Sequence, residues 1–152
     1  MSQAPDAIDE IRYTTQPLPR TCAPLPHETM SSYLYRLASA NSMDPETLRT
    51  LVAGDSHKDA WPRPAVLSRL SDRPEHALLH ALPELRPATA ERRIPKAWRT
   101  GPGCKLCNAA RGAGRYAQVW RAPDDVLCLR HQRWTTGPDD GDQQPYLVST
   151  VI

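Results

Sequence analysis

Apolar residues in this chain recur at helical spacing through four short segments, and then the rhythm is lost. In "HETMSSYLYRLASAN", Met30, Tyr33, Leu34, Leu37 and Ala38 fall at i, i+3, i+4, i+7 and i+8, one stripe of a helix. Asn41 and Ser42 break it. "MDPETLRTLVAG" starts afresh, with Asp44 as N-cap, Pro45 at the first helical position, Leu48, Leu51 and Val52 on the buried face, and Gly54 as its end. A polar stretch, "DSHKDAWPRP", separates a second pair. "PAVLSRLS" sets Val66, Leu67 and Leu70 on one side. "PEHALLHALPEL" opens at Pro74, buries Leu78, Leu79 and Leu82, and is limited by Pro83, which cannot continue a helix. The pattern predicts two helical hairpins of helix-turn-helix type.

Outside these segments the periodicity is absent. Residues 1–24 are Pro-rich and read as an extended N-terminal arm, pinned by Ile11 and Tyr13. Residues 25–86 make the helical core, and 87–103, containing "RRIPKAWR", a basic linker. From Cys104 the chain turns to glycines, short β-type pieces such as "RYAQVWR" and a turn at "APDD". Residues 104–134 read as a separate module and 135–152 as a tail. The expected class is mostly α, with a small α+β part resembling a zinc ribbon.

Composition narrows this. Hydrophobic content is 39%, Phe is absent and there are 16 prolines among 152 residues, which argues for two modest cores, one needing a staple. The start of the chain shows no basic segment followed by an apolar run, and no stretch approaches the ~20 apolar residues that cross a bilayer. The expectation is a soluble cytoplasmic protein with reduced thiols. Net charge is only +2, but it is uneven: −3 over residues 1–61, +8 over 62–133 and −3 over 134–152. Between Arg92 and Arg115 stand Arg92, Arg93, Lys96, Arg99, Lys105, Arg111 and Arg115, with no acidic residue. Such a run suits a polyanionic partner.

The chemistry concentrates at "GPGCKLCNAARGAG" and "CLRH". Cys104 and Cys107 are followed by Cys128 and His131 in the pattern C-x2-C-x20-C-x2-H. Each half places two ligands on one tight turn, and two such knuckles supply the tetrahedral shell that structural Zn²⁺ accepts. All four positions are filled by protein, so the ion would build structure and leave no opening for a catalytic water. The competing readings are buried thiols beside an incidental histidine, or a redox pair at Cys104 and Cys107. The redox reading lacks a surrounding βαβ pattern. Cys22 has no knuckle partner and reads as a buried free thiol in preference to a fourth ligand.

Weaker signals favour bland readings. His76 and His80 lie at i, i+4 but have no third ligand nearby, which favours a solvated helix face. "PDDGD" lacks the ordered oxygen ligands of a calcium loop and reads as a turn. No Gly-Lys-Ser/Thr phosphate loop is present. Glu28 and Arg36 are expected on one helix, two turns apart, in a structural role. Trp98, among Arg and Lys, fits two roles equally: stacking on a base beside a phosphate backbone, or packing where the two halves meet.

"PHETMSSYLYRLASAN" resembles the opening of the TniQ family through Pro26, Glu28, Ser32, Leu34, Arg36, Leu37 and Ala38, with Thr29, Met30 and Tyr33 as near replacements. The paired knuckles, with Trp120 between them, resemble that family's zinc-binding half. Lys105 stands where relatives often have Pro, and longer relatives add a Cys pair and a C-terminal DNA-reading region. The resemblance implies a non-enzymatic adaptor in DNA transposition. It would link a target, either DNA or an RNA-guided complex, to a transposition AAA+ ATPase, with one structural zinc ion. It would work in the cytoplasm, at the nucleoid when bound, with a homodimer allowed. Cys104, Cys107, Cys128 and His131 would carry the architecture, and Trp98 and the seven basic residues the contacts. A zinc-containing DNA-binding transcriptional regulator unrelated to transposition is the alternative, and a thiol oxidoreductase the third reading. Asp44 and Glu46 make the second helix a poor reader of the major groove.

Overall fold

Four helices, a single 3₁₀ turn, a fifth helix and two small sheets follow one another in the computed structural model, which describes residues 16–53, 62–87, 94–114, 117–135 and 143–145. The helices are α1 (Met30–Ala40), α2 (Pro45–Ala53), α3 (Pro64–Ser71), α4 (Glu75–Ala81) and α5 (Lys105–Ala110), with the 3₁₀ turn at Pro83–Leu85. The strands are β1 (Arg99–Pro102), β2 (Gln118–Arg121), β3 (Leu127–Cys128) and β4 (Arg133–Trp134). The fold of the described residues is thus mostly helical with a small β part.

Helix α1 is built as its stripe requires: Met30, Tyr33, Leu34, Leu37 and Ala38 are all buried. The Thr29 hydroxyl accepts from Ser32 N at 3.1 Å and caps its first turn, and the Glu84 carboxylate from the 3₁₀ turn accepts from Met30 N. Asn41 closes the other end and Ser42 takes a positive φ of 54°. Asp44 accepts from Thr47 N at 3.0 Å and so starts α2. Helix α1 packs on α2 and α3 on α4. Their apolar faces form one cluster with Leu48, Val52, Leu67, Leu70, Leu78, Leu82 and Leu85. Val66 and Leu79, expected on the buried faces, are only partly buried against this cluster. Ile11, Tyr13, Gly54 and most of "DSHKDAWPRP" lie outside the described residues.

Three segments extend or depart from the sequence expectation. Part of the N-terminal arm is docked: Leu18 N donates to Leu70 O, Leu18 and Cys22 pack on the helical cluster, and Arg20 N donates to the Asn41 side chain. Residues 99–102, placed in the linker, form β1, pairing antiparallel with β2 from Arg99↔Arg121 to Pro102↔Gln118. Their sequence, "RTGP", has no apolar alternation to announce a strand. Glu28 precedes α1 instead of lying on it, and bridges Val119 on the free edge of β2.

That bridge joins the two halves of the molecule. Thr29 N donates to Gln118 O at 2.9 Å and Trp120 N to His27 O at 2.7 Å. Strand β2 therefore runs between β1 and residues 27–29. Beneath it lies a second cluster, which among the described residues comprises Leu25, Ala113, Ala117 and Val119.

Candidate metal centre

Two turns bring the four chemistry-bearing side chains together. Cys104 is the N-cap of α5 and Cys107 lies one turn on. Gly103 precedes them, its N–H bonded to Ala117 O; a β-carbon there would stand 2.8 Å from the Asn108 carboxamide oxygen, so a larger residue would displace that buried side chain. Cys128 ends β3 and His131 sits in the hairpin to β4, which closes through Gln132 at φ 48° with Leu127↔Trp134 and Cys128↔Arg133 in register.

The ligand atoms of Cys104, Cys107, Cys128 and His131 lie within 4.8 Å of one another. The Cys107 and Cys128 sulfurs are 3.7 Å apart, and His131 Nδ1 is 3.5, 3.2 and 3.6 Å from the sulfurs of Cys104, Cys107 and Cys128. A tetrahedron with metal–sulfur bonds of about 2.3 Å and a metal–nitrogen bond of about 2.0 Å has edges of roughly 3.5–3.8 Å. Three of the four separations fall in that range and the fourth, 3.2 Å between Cys107 Sγ and His131 Nδ1, is shorter; the donor set can hold a metal ion.

Burial pushes the Cys104 thiol up, but the Cys107 and Leu106 N–H groups at the start of α5, with the neighbouring thiols, outweigh it, and its pKa falls below the ordinary thiol value. Burial, the hydrogen bond with Cys128 and the charges of the adjacent sulfurs push Cys107 up to about 12. Three sulfurs this close cannot all ionise unless a positive charge sits among them. Against the three thiols lies a cavity of about 220 Å³ whose walls include Asn108 and Trp120. Buried N–H groups of both side chains lack partners among the described residues.

The model of the TniQ family matches residues 19–134. The chain belongs to the TniQ family. Members of this family act as non-enzymatic adaptors in transposition and target-site selection. No curated protein and no solved structure gives a significant match to the chain.

The TniQ-like opening motif acquires a physical reading from the junction. The Glu28 carboxylate, 0% exposed, accepts from Leu25 N, Ser32 Oγ, and Arg36 Nε and Nη2 at 2.7–2.9 Å. Arg36 also donates to Ala23 O. Ser32 Oγ in turn accepts from Gln118 N at 3.1 Å, so the motif fastens α1 to β2.

The basic residues are less convergent. Lys96, Arg99 and Arg111 are exposed and Lys105 half-buried, while Arg92, Arg93 and Arg115 lie outside the described residues. Arg99 Nη1 folds back onto the Lys96 and Trp98 carbonyls. The ion pairs Glu28–Arg36 and Glu46–Arg49 involve none of these groups. Trp98 is half-buried, its ring edge-on to His27 with centroids 5.4 Å apart, at the seam between the halves. Cys22 is half-buried beside the helical cluster and is no member of the metal group. His76 and His80 are exposed on α4, and "PDDGD" lies outside the described residues. Among the described residues no helix is long and apolar enough to cross a membrane.

Sequence reasoning missed Arg121, which donates to Thr135 O, and Arg133 and Gln143, which meet at the metal turns. The positions of Arg121 and Arg133 beside the knuckles were the only available signal. Gln143 carried none.

Proposed function

We propose that this chain is a zinc-shaped docking adaptor for DNA transposition. In this reading one Zn²⁺ ion is held by Cys104, Cys107, Cys128 and His131 and fixes the form of the C-terminal half. Arg92, Arg93, Lys96, Trp98, Arg99, Lys105, Arg111 and Arg115 face nucleic acid or the partner ATPase. The helical half, two hairpins of helix-turn-helix type, docks protein and does not read the major groove. The ATPase supplies hydrolysis, and the target is DNA or an RNA-guided complex met at the nucleoid. The observation that carries the reading is the convergence of the four ligand atoms within 4.8 Å in a chain of this family. The exposure of Lys96, Arg99 and Arg111, which take no part in the ion pairs seen among the described residues, supports the nucleic-acid contact. Titrating DNA at increasing salt tests it: the logarithm of affinity should fall linearly with the logarithm of salt, with a slope near −0.9 per phosphate neutralised. Binding that is undetectable or indifferent to salt removes the nucleic-acid role and leaves protein docking alone.

A further inference from the structure

Gln143 lies beyond residue 134, where the family match ends, yet it is only 3% exposed. Its carboxamide grips the first metal turn from both sides of Cys104. The oxygen accepts from Lys105 N at 2.8 Å and the nitrogen donates to Gly103 O at 2.9 Å. The peptide units flanking the Cys104 sulfur are thereby fixed by one side chain, in a site sheltered from water where such bonds count most. The backbone of the same residue reaches the second turn: Arg133 Nη1 donates to Gln143 O at 2.8 Å, and Arg133 is the register partner of Cys128. Gln144 O accepts from Trp134 N at 3.0 Å, and Pro145 bridges Arg133. Residues 143–145 thus lie along β4 and touch both knuckles.

We propose that Gln143 is a positioning residue for the metal centre, and that metal binding and docking of residues 143–145 are one linked equilibrium. The inference rests on the metal reading above and deepens it. A side chain that holds the backbone around a ligand acts as outer-shell partners do, and their loss typically costs 10–100-fold in metal affinity. Linkage is reciprocal, so the bound ion tightens docking of the segment by the same factor that the segment tightens the ion.

The test uses the full chain, with zinc as the probe in competition against a chromophoric chelator. Gln143→Ala should weaken zinc binding roughly 10–100-fold. Gln143→Glu keeps the acceptor for Lys105 N but loses the donor to Gly103 O, and should fall between the two. The cobalt(II) spectrum should report the same order, while amide exchange in α1 stays as in the parent chain. Removing zinc from the parent chain should speed amide exchange at Gln143 and Gln144. If the parent chain holds no zinc, the metal reading fails and this inference with it. If it holds zinc and Gln143→Ala binds equally tightly, or exchange at these residues ignores zinc, only the inference falls.

Discussion

Replacing Glu28 with alanine strikes the bond network between the two halves. The carboxylate is wholly enclosed and Arg36, whose side chain is 11% exposed, is its ion-pair partner at 2.7 Å. Removing one member of a buried pair strands the other charge, which typically costs about 3–5 kcal/mol. Leu25 N also loses its acceptor, a loss that overlaps with the first. Total stability for a domain is about 5–15 kcal/mol, so this change consumes a large part of it. For a chain of this size the loss corresponds to a fall of roughly 6–20 °C in melting temperature. Urea unfolding of the zinc-loaded chain, followed by far-UV circular dichroism, measures it. Glu28→Ala combined with Arg36→Met should recover part of the loss, because the stranded guanidinium is gone. A loss below about 1 kcal/mol for Glu28→Ala would refute the reasoning, as would a double variant no more stable than the single one.

Two further expectations follow from the centre and the seam. Chelation, or Cys107→Ser, should abolish binding of one zinc per chain and erase the near-UV signal of Trp120 and Trp134, while much helical signal survives; metal analysis and circular dichroism decide it, since among the described residues the helical cluster is built from residues up to Leu85. His27 is held below its ordinary pKa of about 6.5, first by burial and then by the charge of Arg86. In that state the unfolded chain binds more protons, so His27's contribution is complete above the ordinary value and is lost as pH falls through it toward the lowered one. Stability measured from pH 7.5 to 5 should decline less steeply in His27→Gln than in the parent chain.

Legibility in the sequence followed the range of the interactions. The stripe of α1 and the proline-led start of α2 depend on neighbours within a turn or two, and Met30 to Ala38 could be read directly. The knuckles were equally local: the ligands of each pair stand three positions apart, and only the meeting of the two pairs needed the fold. Glu28 was legible as structural but misplaced onto the helix, because its partner strand lies some ninety residues away and pairs through backbone atoms. Strand β1 is "RTGP", whose pairing with β2 no side-chain period encodes. Trp98 fitted two roles from composition, and its half-buried ring, edge-on to His27, is compatible with both. Gln143 is a polar residue in a polar stretch, and nothing local marks it as enclosed.

Strand β2 has consequences for any attempt to divide this molecule. A polypeptide ending near Pro87 would keep every leucine of the helical cluster, yet it would uncover the Thr29 amide, the His27 carbonyl and the Ser32 hydroxyl together. Those three groups form a short, ready-made seat for a foreign strand, next to a carboxylate suddenly wetted. Such a fragment would be soluble only until it found a neighbour, so the opening motif serves as an adhesive whose proper counterpart is carried further along the same chain.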